Sequence, residues 1–184
     1  NKKMESFMIK KTIIILTIMT TMNGVMAQET TTNSTGKWCI GAGSATHNEK
    51  YGIGYQTAPV WKSTNSNIDL NLEYELSQWK AGNRYNNTGF SDNMWQASVT
   101  PMFNWHLNNK FYLQGGIGLN YFSESNFADK EFGTRLNFGS HLGVGYNFTP
   151  NTSLTYRVSH YSNGGIEKPN PGINMQQVIL SHRF

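Results

Sequence analysis

Alternation with a period of two, sustained over eight long segments, is the feature that most limits what this 184-residue chain can fold into. The segments run approximately over 38–48, 51–61, 67–80, 94–107, 111–123, 133–148, 153–162 and 173–184, and Asn, Gly, Ser, Asp and Pro separate them. In the third, Ile68, Leu70, Leu72, Tyr74 and Leu76 share one face while Asp69, Asn71, Glu73 and Glu75 occupy the other. The sixth sets Leu136, Phe138, Leu142, Val144, Tyr146 and Phe148 against Arg135, Asn137, His141 and Asn147. Such spacing predicts β-strands, each with an apolar and a polar face, and no segment reads as an amphipathic helix.

Either face is a candidate for burial. A soluble sandwich or lipocalin-like barrel turns the apolar side inward, whereas a membrane barrel turns it to lipid and packs polar groups inside. Three features favour the membrane. The segments reach or exceed the roughly 9 to 11 residues a tilted strand needs to cross a bilayer. Aromatic residues gather near segment ends, among them Trp61, Trp79, Trp95, Trp105, Tyr146 and Phe148, as interfacial girdles require. The last segment ends on Phe184, with Leu180 and Val178 on its face, which resembles the assembly signal of outer-membrane barrels.

Loop lengths alternate in the same sense. Short turns are expected around 63–66, 108–110 and 149–151, longer links over 81–93, 124–132 and 163–172, and a tight first hairpin at Glu49 and Lys50. The expected fold is an all-β, eight-stranded antiparallel transmembrane barrel over 28–184, located in a bacterial outer membrane. Lys10 and Lys11 followed by the apolar run 12–22 and the small-residue site Val25-Met26-Ala27 predict a signal peptide over 1–27, with a possible upstream extension before Met8. An uncleaved anchor is the alternative, but the run is shorter than the roughly 18 residues of a span.

Without Lys2, Lys3, Lys10, Lys11 and Glu5 the formal charge falls from +4 to +1, which gives a nucleic-acid partner no support. Cys39 is the only cysteine, so no intramolecular disulfide forms, and a small strand residue is its expected role.

The seventh segment ends in His160-Tyr161-Ser162-Asn163-Gly164-Gly165, and Pro169-Asn170-Pro171-Gly172 follows. By alternation His160 and Ser162 share the face of Leu154, Tyr156 and Val158, where an uncompensated polar pair is costly. A histidine beside a serine suits a nucleophilic hydroxyl with its general base. Positions two apart lie about 6.6 Å apart along a strand, so contact needs a lean or a kink, which Asn-Gly-Gly can supply. The same residues also suit the wet end of a strand in the headgroup zone, and spacing leaves both readings open.

The run from Tyr156 to Gly172, with the closing Phe strand, resembles the carboxy-terminal signature of the PagL lipid A 3-O-deacylase family, specifically over about thirty residues and architecturally over the rest. The resemblance implies an outer-membrane serine esterase that removes the ester-linked 3-hydroxyacyl chain at position 3 of lipid A in the outer leaflet, from a site on the outside of the barrel. It implies Ser162 as nucleophile, His160 as general base, and the backbone N–H groups of Asn163 and Gly165 as oxyanion donors. Family members can carry a Glu at the start of the last strand to orient the histidine. Asn174 stands there in this chain, and an amide can hold the tautomer without stabilising imidazolium by charge.

The reading implies no metal and no organic cofactor, lipid A and the outer membrane as partners, and a homodimer as a possible assembly on which the sequence is silent. If His160 pairs with Asn174 in the last hairpin, their Cβ atoms fall about 4.5 to 5.5 Å apart. Glu167 is a second candidate for the missing acid. His47, His106 and His141 read as isolated polar residues, His182 as outward-facing near the far end, and Arg84, Lys50, Lys130 and Lys168 as external-loop cations within reach of lipid A phosphates. Two rivals remain: a non-enzymatic small barrel serving as adhesin or envelope stabiliser, and a phospholipase or acyltransferase.

Overall fold

The computed structural model describes residues 35–83 and 89–184. The expected signal peptide and Arg84 lie outside them. Eight long strands form the wall: β1 (Lys37–Ala45), β2 (Asn48–Gln56), β4 (Ile68–Ala81), β5 (Asn93–His106), β6 (Phe111–Phe122), β9 (Leu136–Asn147), β10 (Thr152–Ser162) and β11 (Ile173–His182). Three two-residue strands, β3 (Trp61–Lys62), β7 (Asn126–Phe127) and β8 (Lys130–Glu131), lie in the links. Each long strand pairs antiparallel with its neighbours, and β1 with β11 completes the circle, so the sheet closes as an eight-stranded barrel without a free edge.

The faces sort as a membrane barrel requires. On β10 the inward Thr155, Arg157, Ser159 and Tyr161 are all nearly inaccessible, while Tyr156 and Val158 are 46% and 43% exposed. Leu142 on β9 and Ile117 on β6 are exposed at 65% and 64%, a surface that water would penalise and hydrocarbon does not. Trp95 and Tyr121 ring the end of the long links; Trp38, Trp61, Trp105, Phe111 and Phe148 ring the end of the short turns.

Inside, charge is paired. Arg157 grips Glu73 with two N–H···O bonds of 2.6 and 2.8 Å and donates to Gln114, and Lys50 donates to Glu75, Tyr161 and Gln177 at 2.9, 2.9 and 3.1 Å. Lys50 therefore belongs to the lumen rather than to an external loop. The first hairpin turns at Thr46 and His47, with Ala45 opposite Asn48, so Glu49 and Lys50 lie within β2. His47 takes φ 67° at that tip.

Trp79, expected in a girdle, is fully buried in the lumen, its N–H on Gln96. It centres an aromatic cluster with Phe122, Phe127, Phe132 and Tyr161 that fills the lumen at the long-link end. The β7–β8 hairpin supplies Phe127, so this part of the interior is apolar where polar packing was expected.

The second segment also differs from expectation. Pro59 lacks an N–H, and the strand breaks after Gln56. Gln56 pairs with Glu73 and Trp61 with Leu70, leaving residues 57–60 as a bulge tied by Thr57 and Val60 N–H to β4 carbonyls.

Candidate functional site

His160 lies two residues before the end of β10, on the outer wall near the long-link end. It faces Ser140 across the β9 ladder and Asn174 across the β11 ladder, the register expected for the last hairpin. His160 Nδ1 lies 2.7 Å from Asn174 Oδ1. An amide oxygen only accepts, so Nδ1 carries the hydrogen and Nε2 keeps its lone pair, the tautomer a general base needs. Asn174, not Glu167, is thus the residue that holds the imidazole. Glu167 contributes its backbone carbonyl, as acceptor from Asn163 Nδ2 at 2.8 Å.

The other edge of the ring is held by backbone. Gly172 takes φ +64°, and a Cβ there would come within 2.7 Å of His160 Cε1 and 3.1 Å of Nε2. Only a glycine meets both the left-handed conformation and the close approach. Asn174 and Gly172 together bracket the imidazole.

Ser162 closes β10 on the same face, half-buried, opposite Phe138. Among the described residues its hydroxyl makes no hydrogen bond, to His160 or to any other side chain. The chain then turns through Gly164 and Gly165, both left-handed at φ 67° and 83°, which is the kink expected of Asn-Gly-Gly. Asn163 fixes that turn. Its fully buried amide donates to Phe132 O and Glu167 O and accepts from Gly165 N–H at 2.8 Å, while its own N–H donates to Asn170 Oδ1 at 2.9 Å. Both N–H groups expected to receive an oxyanion are therefore engaged by neutral amide oxygens in this structure. Alternation and composition gave no sign of this, because it depends on how the loop folds back.

One Ser–His hydrogen bond does form, and the sequence reading missed it: His141 Nδ1 lies 2.8 Å from Ser159 Oγ. Both side chains are buried in the lumen, and Ser159 also accepts from Gln177. That pair is part of the interior network and faces away from lipid. His106 and His182 have structural partners too, Asp69 and Thr152, at the short-turn end, and His47 stands exposed at the tip of the first hairpin. Among the described residues no group of three or more His, Cys, Asp or Glu is arranged to hold a metal ion. Cys39 lies inside against Ser181. Lys168 is exposed on the loop after β10, and Lys130 lies half-buried in the β7–β8 hairpin.

An outer groove of about 500 Å³ runs beside this constellation, lined by Ser140 and Leu142 of β9, Val158 and His160 of β10, and Asn174 and Gln176 of β11. It is a lateral site on a lipid-facing wall, open to a molecule that stays in the membrane.

The chain is similar to known proteins in both sequence and fold. A family model described as Lipid A 3-O-deacylase (PagL) matches residues 49–183. The lipid A deacylase PagL of Bordetella bronchiseptica is 36% identical over 147 residues, 77% of this chain and 80% of that protein. The crystal structure of the outer membrane enzyme PagL superposes with a TM-score of 0.69 at 21% identity, covering 80% of this chain and 99% of that one. The N-terminal β-barrel domain of Pseudomonas aeruginosa OprF shares the fold more loosely, with a TM-score of 0.53 at 12% identity, over 82% of this chain and 98% of that one. The chain belongs to the lipid A 3-O-deacylase (PagL) family.

Proposed function

We propose that the protein, an outer-membrane lipid A deacylase by family, hydrolyses the ester-linked 3-hydroxyacyl chain at position 3 of lipid A in the outer leaflet by a serine–histidine mechanism. The observation that carries the mechanism is His160 on the lipid-facing wall, its Nδ1–H held by Asn174. A charged or polar group placed there without chemistry to perform is costly.

His160 Nε2 takes the Ser162 proton as Oγ attacks the ester carbonyl carbon. The carbonyl oxygen, now negative, is a stronger acceptor than the amide oxygens of Asn170 and Asn163, and it draws the N–H groups of Asn163 and Gly165 away from them. Collapse expels the sugar hydroxyl, protonated by the imidazolium. Water then attacks the acyl-serine with the same base, releasing a 3-hydroxy fatty acid and restoring Ser162. The steps require neither metal nor organic cofactor, and the ester never leaves the membrane plane.

The test is mass spectrometry of lipid A after incubation with detergent-folded protein and with Ser162→Ala. Loss of one 3-hydroxyacyl chain with wild type alone is expected. An unchanged lipid A profile from correctly folded wild type would favour a structural barrel, and release of fatty acid from phospholipid offered alongside would favour a phospholipase.

A further inference from the structure

Ser140 is left without a task by the reaction above. It stands directly opposite His160 across the β9–β10 ladder, on the flank away from Asn174, and both residues line the outer groove. The ladders set the depth of each group. Ser162 and Phe138 form the tier nearest the long links; Ser140, His160 and Asn174 form the next; Leu142, Val158 and Gln176 the one below. Successive tiers are about 6.6 Å apart.

Apart from Ser162, the nucleophile of the reaction above, the acceptor oxygens of these tiers are occupied and one hydroxyl is not. His160 and Asn174 bond each other, and Gln176 accepts from the Tyr156 hydroxyl at 2.8 Å. Ser140 is exposed on the wall, and among the described residues its hydroxyl has no partner. A hydroxyl facing hydrocarbon calls for a partner, and the groove is where one arrives.

Resting on the hydrolase reading, we propose that Ser140 is a specificity residue that hydrogen-bonds the 3-hydroxyl of the acyl chain being removed. With its ester at Ser162 and its tail directed toward the membrane midplane, the chain passes from the Ser162 tier to the exposed, apolar Leu142 and Val158. The hydroxyl on its third carbon, two carbons beyond the carbonyl, enters the tier between. On the Asn174 flank the amide oxygen is committed to His160, whereas the open hydroxyl of Ser140 can both donate to and accept from the chain's hydroxyl, and it is the group that receives it.

The experiment offers lipid A bearing either a 3-hydroxyacyl or an unsubstituted acyl chain at position 3, in mixed micelles, to wild type, Ser140→Ala, Ser140→Thr and Ser162→Ala. The reading is the ratio of kcat/KM between the two substrates, with folding of each variant verified by gel mobility before and after heating. Wild type is expected to prefer the hydroxylated chain. Ser140→Ala should lower that preference about two- to tenfold, the range for one neutral hydrogen bond, and Ser140→Thr should restore it. A preference unchanged in Ser140→Ala, or equal losses on both substrates, overturns the inference. Wild type hydrolysing both chains equally, with Ser162→Ala inactive, overturns it while leaving the hydrolase reading intact. Release of neither chain by folded wild type sinks both.

Discussion

Asn174 orients His160 through an amide oxygen, which fixes the tautomer yet offers no negative charge to an imidazolium. Hydrogen bonds to an ionised partner are roughly twice as strong as neutral ones, about 1.5–3 against about 1 kcal/mol. Asn174→Glu is therefore expected to raise kcat about tenfold at neutral pH, because the charge acts only once the imidazole is protonated in the transition state. Asn174→Ala should lower kcat about tenfold by freeing the ring. Initial rates of acyl release at saturating lipid A check both, and a Glu variant no faster than wild type would count against a role for imidazolium. Asn174 was reached through the family resemblance and its parity on the last strand gave the outward face, while its place opposite His160 was a conditional register that the ladder shows. The engaged N–H groups of Asn163 and Gly165 were not legible in the sequence, because they depend on Asn170 reaching back seven residues to the first and on the Asn163 side chain turning to the second.

Strand β10 has two jobs on its two faces. Outward it presents Val158, His160 and Ser162; inward Arg157 and Tyr161 are bonded across the lumen, to Glu73 and Gln114 and to Lys50, and Ser159 to His141 and Gln177 of the flanking strands. Interior anchoring of this kind holds the backbone from which the site projects. Removing one partner of a buried ion pair costs about 3–5 kcal/mol, because the other charge stays buried and unpaired. Arg157→Leu should therefore destabilise the barrel by about that amount, and replacing Glu73 by Gln in the same chain should recover part of it. Equilibrium unfolding in urea of the detergent-folded proteins measures both, and a single variant as stable as wild type would show that the pair contributes nothing to anchoring. Alternation made the strands readable but misplaced their charged ends. Glu49 and Lys50 looked like a turn because charge in a chain usually marks solvent, whereas this lumen accepts a lysine that Glu75, Tyr161 and Gln177 surround. Trp79 was misassigned for a related reason: its place near a strand end suggested an interface, while its parity, opposite to Leu76, already pointed inward.

A closed barrel of eight strands has an interior just wide enough for side chains to fill, and here they fill it from both directions. The ion pairs of Arg157 and Lys50 occupy the middle, and Trp79, Phe122, Phe127 and Phe132 pack the long-link end. Architecture alone does not choose a function. The filled lumen does choose a route: a lipid ester has access to the outer wall, where His160 lies, and none to Ser159 and His141 within. Reconstituted into a planar lipid bilayer in potassium chloride, the protein is thus expected to give no stepwise ion conductance under an applied voltage. The same preparation should still deacylate lipid A in vesicles, because the groove opens laterally into the leaflet. Conductance steps at the frequency of insertion would mean that the aromatic cluster opens and that the lumen, with its buried Ser159–His141 pair, is reachable from water. The absence of steps together with active deacylation places the chemistry on the wall, where the substrate already is.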